Sequence, residues 1–128
     1  MLGSLAALEA IRAIGTAHSF NDLADTTGTH LSIARLPVDL EIDTARRQAR
    51  FGAGIPFGEL AQLLADRGWA MHNLASLGHI SVAGAVATGT HGSGDRNQSL
   101  AGAIRWLQLV TASGDVLEID DQDPRLAA

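Results

Sequence analysis

The sequence predicts an α+β domain. Short strand-like and helix-like segments follow one another without the regular strand-helix-strand rhythm of a doubly wound parallel sheet. One amphipathic helix occupies mid-chain, and a hairpin signal lies near the C-terminal end. In chain order, Ser4 is placed to cap a short helix carrying Leu5, Leu8, Ile11 and Arg12, its apolar residues recurring at a spacing of three. That pattern stops at Gly15. Residues 15–29 are rich in Gly, Thr, Asn and Asp, which compete for backbone hydrogen bonds and favour a long loop. Residues 31–36, 38–43 and 48–51 read as short strands, the last two joined by a turn near Asp43, Thr44 and Arg46. Pro56 suits a first helical turn, Leu60, Leu63 and Leu64 give a buried face, and Gly68 makes a stop. Finally, residues 103–111 and 116–119 flank Ser113-Gly114-Asp115 as a hairpin, with Arg105 and Gln108 at outward positions.

Length and composition bound the function. A chain of 128 residues is the size of one ordinary domain, and 46% apolar with 18% charged residues is the composition of a globular protein rather than a disordered one. Cysteine, lysine and tyrosine are absent, all nine basic residues being arginine. Thiolate metal sites, disulfides and cysteine nucleophiles are thereby excluded, as are Schiff-base chemistry and the lysine of a Walker loop. The net charge of −5 is spread among interspersed acids and arginines, so the footprint of a nucleic-acid binder is missing. No stretch approaches the ~20 apolar residues of a membrane span, and no basic region leads into an apolar run at the start, so a cytoplasmic location without membrane partners is expected.

Two segments can carry chemistry. The first is Gly15-Thr16-Ala17-His18-Ser19-Phe20-Asn21. Its small residues keep the surface low, and exposed backbone N–H groups can hold an anion without a positive side chain, with His18 presented beside it. Taken alone, such a segment is more often a surface loop with a solvated histidine. The second runs from Ser76 to Gly94 through Ser81, Gly84, Ala85, Val86, Ala87 and His91, with little in it larger than valine. Such a run can lie flat against an extended cofactor, offering main-chain N–H groups and hydroxyls. The competing explanation is a closely packed small-residue helix followed by a flexible loop. The glycine spacing does not match G-x-G-x-x-G, which argues against a Rossmann site.

The other conspicuous residues carry less. No two of the five histidines, His18, His30, His72, His79 and His91, stand four apart as helical metal ligands do, so no metal site is expected. Trp69 and Trp106 are too isolated for a base-stacking platform and suit core or domain-edge positions. Arg46, Arg47 and Arg50 fit a solvated face beside a turn.

Read together, the two segments acquire an identity. Ala13 to Asn21, then Leu36, Gly52-Ala53-Gly54, Gly58-Glu59-Leu60, Asn73-Leu74-Ala75-Ser76 and the run ending His91-Gly92-Ser93-Gly94, resemble the flavin domain of FAD-linked oxidases of the vanillyl-alcohol oxidase superfamily. Within it the likeness is strongest to alditol and xylitol oxidases, with gulonolactone oxidases next. The resemblance covers nearly the whole chain. It implies a PCMH-type FAD-binding domain of mixed small sheets with flanking helices. Residues 1–128 would be a partial domain, the substrate domain lying outside them.

The resemblance also implies roles. The loop matching Ala13, Ile14, Gly15, Thr16, Ala17, His18 and Ser19 would wrap the FAD pyrophosphate, and His18 would bond covalently to the 8α-methyl carbon of the flavin. Further flavin contacts would fall on Ser76, Ser81, Gly84, Ala85, Val86 and Ala87, with His91 close by. The activity implied is oxidation of the CH–OH group of a sugar alcohol, hydride passing to flavin N5 and dioxygen leaving as hydrogen peroxide. Two alternatives stay open: a gulonolactone oxidase or dehydrogenase, and a catalytically silent flavin-binding or subunit-interaction module. An incompletely covered domain would also expose apolar surface to self-association or a partner chain. Gly78 stands where relatives commonly have proline, and Ala17 where they often have glycine or arginine.

Overall fold

The computed structural model describes residues 10–126. Three separate two-stranded sheets and two short α-helices make up its regular structure. β1 (Ile11–Ile14) pairs in parallel with β2 (Thr29–Ser32), so that Ala13 stands opposite Leu31 and Ile14 opposite Ser32. Ile11 and Arg12 therefore belong to a strand, not to the end of a helix; Ser4, Leu5 and Leu8 lie outside the described residues. The loop between the strands contains one 3-10 turn, Asp22–Ala24, capped by the Asn21 side chain, which accepts from the Leu23 N–H at 3.2 Å.

β3 (Glu41–Asp43) and β4 (Gln48–Arg50) form an antiparallel hairpin with the turn where it is expected. Asp43 holds that turn: its carboxylate accepts from the Arg46 N–H at 2.9 Å and from the Arg46 guanidinium at 3.0 Å. Both outer strands are shorter than their sequence patterns, because residues 33–40 have no ladder partner among the described residues. The last hairpin joins β5 (Trp106–Val110) to β6 (Val116–Asp120) in antiparallel register, Gln108 reaching Glu118 across the strands at 3.3 Å. Gly114 takes the left-handed conformation its turn requires, with φ +87°. Residues 103–105, read as strand, instead close a 3-10 turn (Leu100–Ala103) and lead into β5. Arg50 is not simply solvated: its guanidinium lies 4.0 Å from the centre of the Trp106 ring, a cation–π contact between the two hairpins.

The core gathers around α1 (Phe57–Ala65). Pro56 is its N-cap, and Gly68 follows its end with φ +76°. The predicted spacing places Leu60 and Leu64 inward with Phe57, and Leu63 packs partly buried beside them. Burying one such side chain contributes about 1.5–3 kcal/mol. Ile55, Ala75, Val82, Ala85 and Leu100 complete the buried cluster, to which a second helix, α2 (Val82–Ala87), contributes Val82 and Ala85. Trp69 packs at the margin of this core. Among the described residues, no helix is long and apolar enough to cross a membrane.

Candidate functional site

Backbone hydrogen bonds fix the segment that leads into α2. Gly58 N–H donates to the Gly78 carbonyl at 2.7 Å and Phe57 N–H to Ile80 at 3.0 Å. In return, Val82 N–H donates to Ile55 at 2.9 Å and Ala83 N–H to Ala53 at 3.1 Å. Residues 78–83 are thus bound along the start of α1 before any ligand is considered. Ser81 sits in the middle of this contact, only 2% exposed. Its backbone N–H donates to Thr16 Oγ1 at 3.2 Å, tying the first predicted segment to the second.

Gly15 makes that approach possible. A Cβ at position 15 would run into Ser81 Oγ and stand 3.3 Å from Ser81 Cβ; one at Gly84 would stand 2.9 Å from the same hydroxyl. Ser81 Oγ is thereby enclosed between two glycines, and it has no hydrogen-bond partner. It caps α2 in position only, since its side chain makes no capping bond. A buried hydroxyl without a partner is costly, and a ligand that supplies one recovers the cost.

β1 brings Ala13 and Ile14 to this point, and the chain then turns through Ala17, whose φ of +53° is left-handed and uncommon outside glycine. Beyond the turn, the His18 ring meets His79 edge to face, with centroids 5.1 Å apart and planes at 84°. Phe20 meets the same ring at 5.6 Å and is itself almost fully exposed. His18 therefore stands at the surface between two aromatic neighbours, and Ser19 beside it is exposed.

The second grouping is an open cleft of about 790 Å³. Residues 71–76 and His91, Gly92 and Ser93 line it, so Ser76 and His91 share one cleft. His91 Nδ1 lies 3.1 Å from the Gly92 carbonyl. On α2, Gly84 faces Ser81 and Ala87 is exposed, whereas Ala85 is buried in the core and Val86 packs against it. The buried Ala85 side chain thus serves packing, and any contact Ala85 offers a ligand comes from its backbone, whereas Val86 is only partly covered. Among the described residues no group of three or more His, Asp or Glu side chains is arranged to hold a metal ion.

A family model described as FAD binding domain matches residues 6–120. The chain belongs to this FAD-binding domain family. It is 48% identical over 104 residues to an alditol oxidase of a Streptomyces species, covering 80% of this chain and 25% of that protein. It is 38% identical over 120 residues to an L-gulono-1,4-lactone dehydrogenase of Mycobacterium tuberculosis, covering 94% of this chain and 28% of the relative. Among solved structures, 6-hydroxy-D-nicotine oxidase of Arthrobacter nicotinovorans superposes with a TM-score of 0.78 at 27% identity, over 94% of this chain and 28% of that one. The chain spans about a quarter of the length of these relatives. The fold is the PCMH-type FAD-binding fold of the vanillyl-alcohol oxidase superfamily, and FAD is its cofactor.

The geometry of this FAD-binding domain fits that cofactor. FAD is long, anionic at its diphosphate and rich in acceptors at its ring edges. The loop after β1 offers it a glycine and exposed main chain, and Ser81 offers an enclosed hydroxyl with no other partner. Two residues at the site were not singled out by sequence reasoning. His79 was one of five scattered histidines, and Asn73 was only one letter of a matching motif. Neither has a spacing signal, since both act through contacts with residues distant in sequence.

Proposed function

We propose that this domain holds FAD for an oxidase acting on the CH–OH group of sugar alcohols, with His18 bonded covalently to the flavin. The observation that carries the reading is the closure of Gly15 and Thr16 onto Ser81, which joins the two segments expected to hold the cofactor. The 48% identity to an alditol oxidase supports the substrate class. When bound, FAD supplies the redox chemistry, taking hydride at N5 and passing the electron pair to dioxygen to give hydrogen peroxide.

The chain's own residues bind and orient. Gly15 lets main chain come close to the diphosphate, and Thr16, held by the Ser81 N–H, fixes the course of that loop. The Ser81 hydroxyl donates to a ligand acceptor from inside the protein, where it competes with no water. His18 would hold the flavin by a bond from an imidazole nitrogen to the 8α carbon, the N–H and one C–H proton leaving and the electron pair passing through the flavin to dioxygen, and the ring contacts of His79 and Phe20 limit how His18 can turn. Oxygen uptake and peroxide release with xylitol and sorbitol, measured on the FAD-loaded polypeptide that carries this domain, test the reading. Peroxide formed one-for-one with oxygen consumed supports it; no turnover of any polyol overturns the substrate assignment. A second reading, a gulonolactone-type dehydrogenase, has the 38% identity across 94% of this chain in its favour. Lactone oxidation with an artificial electron acceptor but without oxygen uptake would select it.

A further inference from the structure

We propose that Asn73 is a ligand-binding residue of the cleft, its side-chain amide donating a hydrogen bond to an acceptor on the edge of the flavin ring. The inference rests on the reading of this domain as an FAD cradle and identifies a donor that the reading leaves unassigned.

Asn73 Oδ1 accepts from the Leu74 N–H at 3.0 Å, which settles the orientation of the amide and makes Nδ2 its other end. Nδ2 is buried and has no acceptor. Native proteins rarely leave such a donor unpaired, because its lost hydration is not returned. The amide is also held in place. A Cβ at Gly92 would run into it, 2.6 Å from Cγ and 2.7 Å from Nδ2, so the loop bearing His91 closes on Asn73 at the one residue that leaves room.

The surroundings say what the acceptor is. Met71, Leu74 and Ala75 bring apolar surface to the cleft, and Asn73, Ser76 and His91 bring polar groups, without any arginine in the lining. A diphosphate calls for cations or a nest of backbone N–H groups. A mixed lining without arginine or carboxylate, in a cleft of about 790 Å³, suits a flat heteroaromatic ring with carbonyl and ring-nitrogen acceptors along its edge.

The test is made in the His18→Ala background, where FAD binds reversibly, and compares the protein that is wild type at position 73 with Asn73→Asp and Asn73→Ala in equilibrium binding of FAD and of ADP, which has the adenine and diphosphate but no flavin. Asn73→Asp keeps the shape and the acceptor for Leu74 while turning the donor into an acceptor. It is expected to weaken FAD by about tenfold or more, and Asn73→Ala by about fivefold, each with ADP affinity within about twofold of wild type. The visible absorption bands of bound flavin should shift in Asn73→Asp, and the melting temperature of the ligand-free protein should hold in both variants. FAD affinity unchanged in both variants overturns the proposal. So does a parallel loss of ADP, which would put Asn73 on the adenylate half, or a collapse of the ligand-free melting temperature, which would make the amide structural. Failure of the wild type to bind FAD overturns the cradle reading together with the proposal; wild-type binding with unaffected variants overturns the proposal alone.

Discussion

Gly15→Ala should damage the protein through a single atom, and Ser81→Ala should repair it. The new Cβ would fall on Ser81 Oγ and lie 3.3 Å from Ser81 Cβ. Ser81 cannot swing aside, since it is 2% exposed and Gly84 closes the other side of its hydroxyl. The loop that carries Gly15 out of β1 must therefore shift, at a cost of about 1–3 kcal/mol for overpacking. The shift also breaks the bond from Ser81 N–H to Thr16 Oγ1, worth about 1 kcal/mol. The sum is about 2–4 kcal/mol. Ser81→Ala alone removes an unpartnered hydroxyl, so it should leave ligand-free stability unchanged or slightly raised while weakening FAD binding. In the double variant the worst contact is gone, so its stability should return to within about 1 kcal/mol of wild type, a coupling of more than ~1 kcal/mol. Urea unfolding of the four ligand-free proteins measures every term. Additive single effects, or a Gly15→Ala protein as stable as wild type, would refute the packing of Gly15 on Ser81.

Two further outcomes are expected. Ala17→Gly should raise stability by about 1 kcal/mol, because the left-handed φ of +53° strains alanine and not glycine; urea unfolding reads the gain. Arg125→Ala should lower stability by an amount that depends on pH. Side-chain and then backbone hydrogen bonds from Arg125 lower Asp123 from 3.8 to about 2. A folded value below the unfolded one contributes stability that is complete above about pH 4 and is lost as pH falls through about 2, so the difference between variant and wild type should be flat from pH 5 to 8 and shrink below pH 4. Urea midpoints across that range check it.

The legible parts of the fold were those whose determinants are local. α1 has its three leucines, a proline before it and a glycine after it, and the two hairpins have turn residues between short apolar runs. The pairing of β1 was not legible, because Ile11 to Ile14 finds its partner only at Thr29 to Ser32, across a long loop, while the apolar spacing of the sequence carries a helical reading onward over Ile11 and Arg12. Strand ends extend too far in the sequence pattern for the same reason, Val38 and Leu40 packing onto the core without a ladder.

In the site, the sequence pointed to both segments but not to how they touch. That Gly15 faces Ser81 and Gly84 follows from the course of the backbone. That Ala85 faces the core rather than a ligand follows from the orientation of α2. The edge-to-face contact of His18 with His79 is a tertiary contact without a local trace.

The most direct test of the account is where flavin resides after unfolding. The protein is incubated with FAD, denatured, digested and searched by fluorescence and mass spectrometry for a flavin-bearing peptide. The account predicts flavin on the peptide that contains His18, and a His18→Ala protein that binds FAD reversibly yet releases all of it on denaturation. A wild-type protein that binds no FAD, or one whose flavin is attached at His79 or His91 instead, would contradict it.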